Sequence, residues 1–256
     1  MIRSYRDSDM AALREICFQT ALYGQCIEPL CNDREFIAEA VLGYYARFER
    51  ESLFVAEADG RVVGYLTGCA DTKRFERLFG GAIVPRLLLR FVGHGHWHRA
   101  GVWRIIAAVT VLGLRRYRGM RRIVAEYPAH CHMDIAADAQ RMGLGSKLLE
   151  AFFDRMNSQR VKGIHVSTPT GPGKRFFAKM GFVLLSRHPA PTLAGVSPGE
   201  IWLMGIKLGN HCTQANTELC LKQDAHGYTR IAQEAESAYI GVNPVPRTLS
   251  GRWKQG

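Results

Sequence analysis

Gln140-Arg141-Met142-Gly143-Leu144-Gly145 is the most informative segment for the fold, because it joins two segments of different periodicity. Residues 130–136 before it have strand character, and residues 143–158 after it repeat apolar side chains at helical spacing. Two glycines in such a connection permit a tight turn that aims several backbone N–H groups at one point. Together with the positive end of the helix dipole, these groups bind a phosphate. The stretch therefore predicts a phosphate-binding loop in a β-loop-α unit.

Apolar patterns on both sides of the loop predict alternating strands and helices. The clearest local signal is the turn pair Asp59-Gly60, which predicts a hairpin because it lies between two β-rich runs. A helix capped by Asp7 or Ser8 is predicted near the start, and a second helix begins near Asp33. The predicted strands are residues 2–6, 53–57, 61–68, 130–136, 163–167, 181–185 and 201–208, and the later helices are residues 84–92, 102–117, 143–158 and 173–180.

Composition indicates a folded chain with one main domain. The chain has 256 residues, of which 47% are hydrophobic, enough for a substantial core. Seven cysteines, an odd number, lie without metal-type or disulfide-framework spacing, and residues 1–7 turn polar before a signal peptide could develop. We therefore expect a reduced protein in the cytoplasm. The pattern fades after residue 208, so residues 1–208 are predicted as the domain and residues 209–256 as a tail of uncertain order.

The positive charge is concentrated in residues 73–127, named here the basic insertion because it interrupts the strand pattern. It holds twelve Lys and Arg side chains up to residue 122, against Glu76 alone. Its least charged part, residues 100–114, includes Arg104 and is shorter than the roughly 20 residues that span a bilayer. Peripheral contact with an anionic membrane is not preferred over packing on the domain, and recognition of an anionic acceptor stays open. Nucleic acid is not expected, because aromatic residues are sparsely interleaved.

Four features together resemble the GNAT family of acetyl-CoA-dependent N-acetyltransferases. The loop is similar to the family's pyrophosphate loop, and Arg175-Phe176-Phe177-Ala178-Lys179-Met180-Gly181-Phe182 is similar to its second signature. The Asp59-Gly60 hairpin resembles the family's second and third strands. His132-Met133-Asp134 is similar to bacterial members related to the acetyltransferase-like domain of O-GlcNAc hydrolases. The resemblance implies an α/β (α+β) fold, with a central mixed twisted sheet, helices on both faces and the basic helical insertion.

The resemblance also implies the reaction and its residues. A primary amine of an unidentified acceptor, preferably a small molecule, would attack acetyl-CoA directly in a ternary complex. Asp134 is the candidate general base, with His132 second. No metal is implied, and a homodimer is compatible with the sequence. The residues expected to bind the cosubstrate are Ile135, Ala136, Ala137, Gln140, Arg141, Met142, Gly143, Leu144, Gly145, Ser146 and Phe177.

Several alternatives stay open at the level of sequence. Phe177 stands where many family members have a tyrosine that protonates the CoA thiolate, so Tyr65, Tyr127 or water would have to replace it. The same departure leaves room for a non-catalytic acyl-CoA-binding regulatory module. Leu148 replaces the third glycine of a dinucleotide-binding loop and makes that function unlikely.

Other reactive residue types are assigned to structure rather than to chemistry. Cys131 is expected in the core, because strand alternation points it away from Asp134. His94, His96 and His98 are not expected to bind a metal, since no Cys, Asp or Glu lies near them in sequence.

Overall fold

Seven strands form one mixed sheet in the computed structural model, which describes residues 1–209 apart from the side chains of residues 109–119. The strands are β1 Ile2–Ser4, β2 Leu53–Ala58, β3 Arg61–Cys69, β4 Ala129–Ile135, β5 Gly163–Pro169, β6 Val183–Pro189 and β7 Glu200–Lys207. Their order in the sheet is β1-β2-β3-β4-β5-β7-β6. β4 and β5 pair in parallel, and all other neighbours pair antiparallel. The predicted mixed sheet and the hairpin at Asp59-Gly60 are confirmed.

Helices cover both faces of this sheet, as predicted. They are α1 Met10–Thr20, α2 Arg34–Phe48, α3 Thr72–Leu78, α4 Val84–Gly93, α5 Ala100–Glu126, α6 Leu144–Ser158 and α7 Pro172–Lys179. α1 and α2 pack on one face over a core that includes Leu13 and Tyr65. α6 packs on the other face, where Leu148 and Phe152 are completely buried. The sheet thus separates two apolar cores.

The first two helices begin differently from one another. α2 begins after Asp33 as predicted, and the Asp33 carboxylate caps it by accepting a hydrogen bond from the Phe36 N–H at 3.0 Å. The prediction that Asp7 or Ser8 caps α1 is wrong. A 3-10 turn, Asp7–Asp9, comes first, and the buried Asp9 carboxylate accepts from the Arg6 N–H at 2.7 Å. Asp9 is the last residue of this turn, and its side chain reaches back to the residue before the turn, as in a capping box.

The basic insertion forms three α-helices. The two residues that flank it, Thr72 and Pro128, are in contact. The Thr72 N–H and Oγ1 both donate to the Pro128 carbonyl, at 2.9 and 2.7 Å, so the segment leaves β3 and returns to β4 at one point. α5 ends at Glu126, nine residues beyond the predicted helix end at residue 117. Within the part of the chain that the structure describes, no helix is long and apolar enough to cross a membrane. The tail falls outside these residues from position 210 onward, and the proposed domain boundary stays a prediction.

Candidate active site

A gap opens in the middle of the sheet between β4 and β5. The two parallel strands pair at only two positions, Ala129 with Ile164 and His130 with His165. Beyond them β4 continues to Ile135 beside β3, without further pairing to β5 among the described residues. The edge of β4 that faces the gap therefore presents backbone groups that an extended ligand can pair with.

A bulge in β3 controls the end of β4. Ala56 pairs with Gly64 and Glu57 with Val62, so Val63 is the extra residue of this bulge. The Val63 carbonyl accepts the Ala136 N–H at 2.8 Å. The Ala136 N–H is therefore already occupied within the sheet, and binding of the cosubstrate by residues 135–137 stays a prediction. The contact between Ala136 and Val63 could not be predicted from sequence, because a bulge depends on the register of pairing.

The glycine loop has the geometry of an anion site. Arg141 and Gly143 both adopt left-handed backbone conformations, with φ of +65° and +73°. They turn the chain sharply into α6, whose first three N–H groups precede any helical acceptor. Lys147 is the first residue to find one, the Gly143 carbonyl at 3.4 Å. The Gln140 side chain donates to the Ile135 carbonyl at 3.2 Å and ties the loop to the strand.

An aromatic ring supports the loop from α7. A Cβ atom on the buried Gly145 would lie 3.3 Å from the Phe176 ring, so a larger residue at that position would push the ring or the loop. Phe177 is buried beside Phe176 and Phe182, with ring centroids 5.1 and 5.2 Å apart. Phe176, which the sequence analysis did not single out, is the nearer ring to the loop. Contact between Phe177 and the cosubstrate stays a prediction.

Three polar side chains meet beside the gap on the face that α1 covers. Tyr65 lies opposite Asp134 in the β3–β4 register, and its hydroxyl donates to Asp134 Oδ2 at 2.6 Å. His132 Nε2 lies 3.1 Å from the same oxygen. Tyr65 is completely buried, whereas the His132 side chain is 46% exposed. The two predicted catalytic residues are thus in direct contact, and Tyr65 joins them.

The contacts around Asp134 determine its charge. Burial alone would raise the pKa of Asp134, but attraction to His132 and hydrogen bonds from His132 and Tyr65 lower it below the usual value. Burial alone would lower the pKa of His132, and the charge of Asp134 raises it above the usual value. Desolvation, followed by the charge of Asp134, raises the pKa of Tyr65 strongly, so its hydroxyl remains a proton donor. The cluster therefore holds an ionised carboxylate next to a titrating imidazole.

The opposite face of β4 is apolar. Cys131 is buried there in the core under α6, and its burial raises the pKa of its thiol to about 12. The predicted role of Cys131 in core packing is confirmed, because such a thiol is a poor nucleophile. Every cysteine that the structure describes has a free thiol.

The histidine segment makes a contact that sequence distance concealed. His96 is buried, and its Nε2 lies 2.8 Å from Asp33 Oδ2, which also accepts from Arg90 at 2.7 Å. His94 Nδ1 is 3.9 Å from the same carboxylate oxygen. Although no acidic residue lies near these histidines in sequence, the fold brings Asp33 next to two of them. Arg90 on α4 pairs with the Asp33 carboxylate and balances its charge. This ion pair anchors α4 to the start of α2.

Two predicted replacements for the missing tyrosine hydroxyl are placed unfavourably. Tyr65 donates its hydroxyl to Asp134 and is buried. Tyr127 lies at the opposite end of β4, where its ring packs against Gly205 and belongs to a separate cluster with Leu203. Water is the remaining candidate from the sequence analysis for protonating the thiolate.

Comparison with known proteins gives a family match and related folds. A family model described as "Acetyltransferase (GNAT) family" matches residues 18–182. The chain is similar to the crystal structure of SsHAT, with 27% identity and a TM-score of 0.63, over 82% of this chain and 98% of that one.

Two more distant structures share the fold. The Drosophila melanogaster polyamine N-acetyltransferase has 13% identity and a TM-score of 0.53, over 81% of this chain and 99% of that one. A phosphinothricin acetyltransferase from Sinorhizobium meliloti in complex with AcCoA has 15% identity and a TM-score of 0.51, over 82% and 88%.

Proposed function

Because the chain belongs to the GNAT acetyltransferase family and is therefore an acyltransferase that uses acetyl-CoA, we propose that it acetylates the primary amine of a small molecule. The observation that supports this assignment is the hydrogen-bonded set of Tyr65, Asp134 and His132 beside the gap between β4 and β5. It combines a titrating group with a place for an extended cosubstrate.

The proton acceptor in this proposal is His132, and Asp134 is its positioning residue. A carboxylate whose pKa is lowered is a weak base, whereas an imidazole whose pKa is raised is a stronger one. An ionised carboxylate cannot donate, so neutral His132 donates its Nε2–H to Asp134. This leaves the lone pair on Nδ1, which then accepts the proton.

The reaction follows from these positions. The amine nitrogen attacks the carbonyl carbon of the thioester, a C–N bond forms and the C–S bond breaks. The proton lost by the amine passes to His132 Nδ1, directly or through one water molecule. The CoA thiolate leaves and takes a proton from water, since a thiolate is a tolerable leaving group.

The residues around the loop suit the pyrophosphate of the cosubstrate. The N–H groups of Leu144, Gly145 and Ser146 point from the start of α6, and the helix dipole adds attraction for an anion. Arg141 and Met142 are exposed beside them. The gap along β4 would receive the pantetheine chain, which pairs with backbone groups in the manner of a strand.

Because α1 covers the face of β4 that holds the polar side chains, a small acceptor is favoured. α1 packs against β3 and β4, and only 15% of the Asp134 side chain is exposed. A cationic amine is attracted to this ionised carboxylate and can deliver its proton to the adjacent imidazole. The same cover restricts the approach of a folded protein surface.

The test combines binding with turnover. Isothermal titration with acetyl-CoA should give one site per chain, and thiol release should appear with members of a panel of diamines, amino acids and amino sugars. We expect His132→Ala to bind acetyl-CoA as the wild type does and to release thiol far more slowly. Asp138→Asn, an exposed carboxylate paired with Arg61, is the control and should behave as the wild type.

Two outcomes would contradict the proposal. Absence of acetyl-CoA binding would remove the donor site. Binding without turnover for every amine, unaffected by His132→Ala, would favour the regulatory module instead.

A further inference from the structure

An apolar surface patch lies on α4, the turn after it and the start of α5. Eight large apolar side chains are exposed among the described residues, and six of them fall within residues 88–106. They are Leu88, Leu89, Val92, Trp97, Trp103 and Ile106. Such concentration in one segment is unusual, because single exposed apolar residues are normally scattered.

A contact between α4 and α5 supports this patch. α4 is apolar on two sides: Leu87 and Phe91 pack against the core, whereas Leu89, 75% exposed, faces away from it. The Phe91 ring contacts the Trp103 ring edge-on, with centroids 5.3 Å apart. The Trp103 Nε1–H donates to the Trp97 backbone carbonyl at 3.0 Å and fixes the Trp103 indole at the surface. A helix that is apolar on two sides requires a second partner for its outer side.

Positive charge is concentrated in the segment that carries this patch. Residues 77–125 contain ten arginines and no acidic residue. Arg86, Arg99 and Arg104 are exposed at its borders, and none of the ion pairs among described side chains includes them. The partner must therefore be both apolar and anionic.

We propose that this patch docks on the surface of a bilayer that contains anionic phospholipid. Leucines enter the boundary between headgroups and acyl chains, indoles lie at the headgroup level, and arginines bind lipid phosphates. A second copy of the chain is disfavoured because it would bring the same arginines together. Nucleic acid would leave Leu88, Leu89 and Val92 without an apolar contact. The site goes beyond acetyl transfer, since it places the enzyme at a membrane surface.

The test is flotation of the full chain with vesicles. We expect binding to phosphatidylcholine vesicles with about one part in three phosphatidylserine, little binding to phosphatidylcholine alone, and release at high salt. The substitution pair Arg86→Gln with Arg104→Gln should weaken binding about 25-fold, from about fivefold for each charge. The pair Leu88→Ser with Leu89→Ser should weaken it at least about tenfold.

The control removes the same charge elsewhere on the surface. Arg160→Gln with Lys162→Gln should bind vesicles as the wild type does, and all variants should keep the wild-type melting temperature and thiol release with a soluble amine. Binding that is absent at low salt, equal on both lipid compositions, or unchanged by the leucine pair would overturn the proposal. Capture of soluble polyglutamate equally by the wild type and the leucine pair would assign the patch to an acidic protein and would also overturn it.

Discussion

The two faces of β4 differ in chemistry although their residues alternate along one strand. His130, His132 and Asp134 face α1 and α2, where hydrogen bonds connect them to Tyr45 and Tyr65. Cys131, Met133 and Ile135 face the core beneath α6. One face therefore holds groups that titrate, and the other supplies burial. Substitutions one position apart on β4 should therefore affect different properties. Those on the polar face should change the turnover rate, and those on the apolar face should change the stability of the fold.

The largest effect is expected from His132→Ala. Removal of a general base lowers the turnover rate by about 10² to 10⁴. Because the side chain is half-exposed, the melting temperature should change little. Steady-state thiol release measures the rate, and added imidazole should restore part of it. Cys131→Ala, one residue away on the other face, should instead lose stability and retain its turnover rate. An equal loss of rate in both variants would contradict the assignment of different properties to the two faces.

The next effect is expected from Phe152→Ala on the apolar face. Phe152 is completely buried in the core under α6, and truncation of such a side chain lowers the free energy of unfolding by about 3–5 kcal/mol. Denaturation by urea measures this loss. Phe153→Ala is the matched control, because Phe153 is only half-buried and should cost less. At a temperature where both variants are folded, a turnover rate as low as that of His132→Ala would contradict the assignment of this face to stability.

Asp134→Asn should change the pH dependence of the rate. Neutral His132 is the reactive form, so the rate rises with pH through the His132 pKa, which the Asp134 charge raises. Without that charge the pKa falls, and the acid limb of the kcat/KM profile moves to lower pH. The plateau should fall about tenfold to a hundredfold, since a hydrogen bond to a charged group contributes about 1.5–3 kcal/mol. An unmoved acid limb, with Asp138→Asn as the reference, would show that His132 is not the titrating base.

The smallest effect is expected from Tyr65→Phe. This substitution removes one hydrogen bond to Asp134; because Asp134 acts on the reaction only through His132, turnover should slow by less than about tenfold, corresponding to about 1 kcal/mol. Tyr44→Phe is the control, because Tyr44 is equally buried but donates to Glu49. Thiol release and urea denaturation of both variants distinguish the two roles. If both lose stability alike and neither changes rate, Tyr65 acts only in packing.

Most elements of the fold could be predicted from local patterns. The Asp59-Gly60 hairpin, the glycine loop and the helix after it have signals that lie within a few residues. The order of β5, β7 and β6 could not, because it depends on pairing between distant segments. α3 was missed although Asp71 is a good capping residue, and its side chain accepts from the Lys73 N–H. The arginine-rich end of α5 lacks the apolar period that helix prediction relies on.

The candidate site was predicted only in part. Strand alternation put His132 and Asp134 on one face, and the structure adds their contact. The contact of Tyr65 with Asp134 requires the register of β3 against β4, which the basic insertion separates along the chain. Occupation of the Ala136 N–H required knowledge of the bulge at Val63. These contacts could not be predicted because they depend on pairing between segments that lie far apart in sequence.

The hydrogen bonds from Thr72 to the Pro128 carbonyl have a consequence for how the chain can vary. Since α3 to α5 leave and re-enter the sheet at one point, they impose no span that β3 and β4 must bridge. The entropic cost of closing such an excursion grows only slowly with its length. The excursion can therefore gain or lose whole helical turns, or be exchanged for another module, while β3 and β4 remain neighbours. The enzyme's surface can diversify without a change to its catalytic strand.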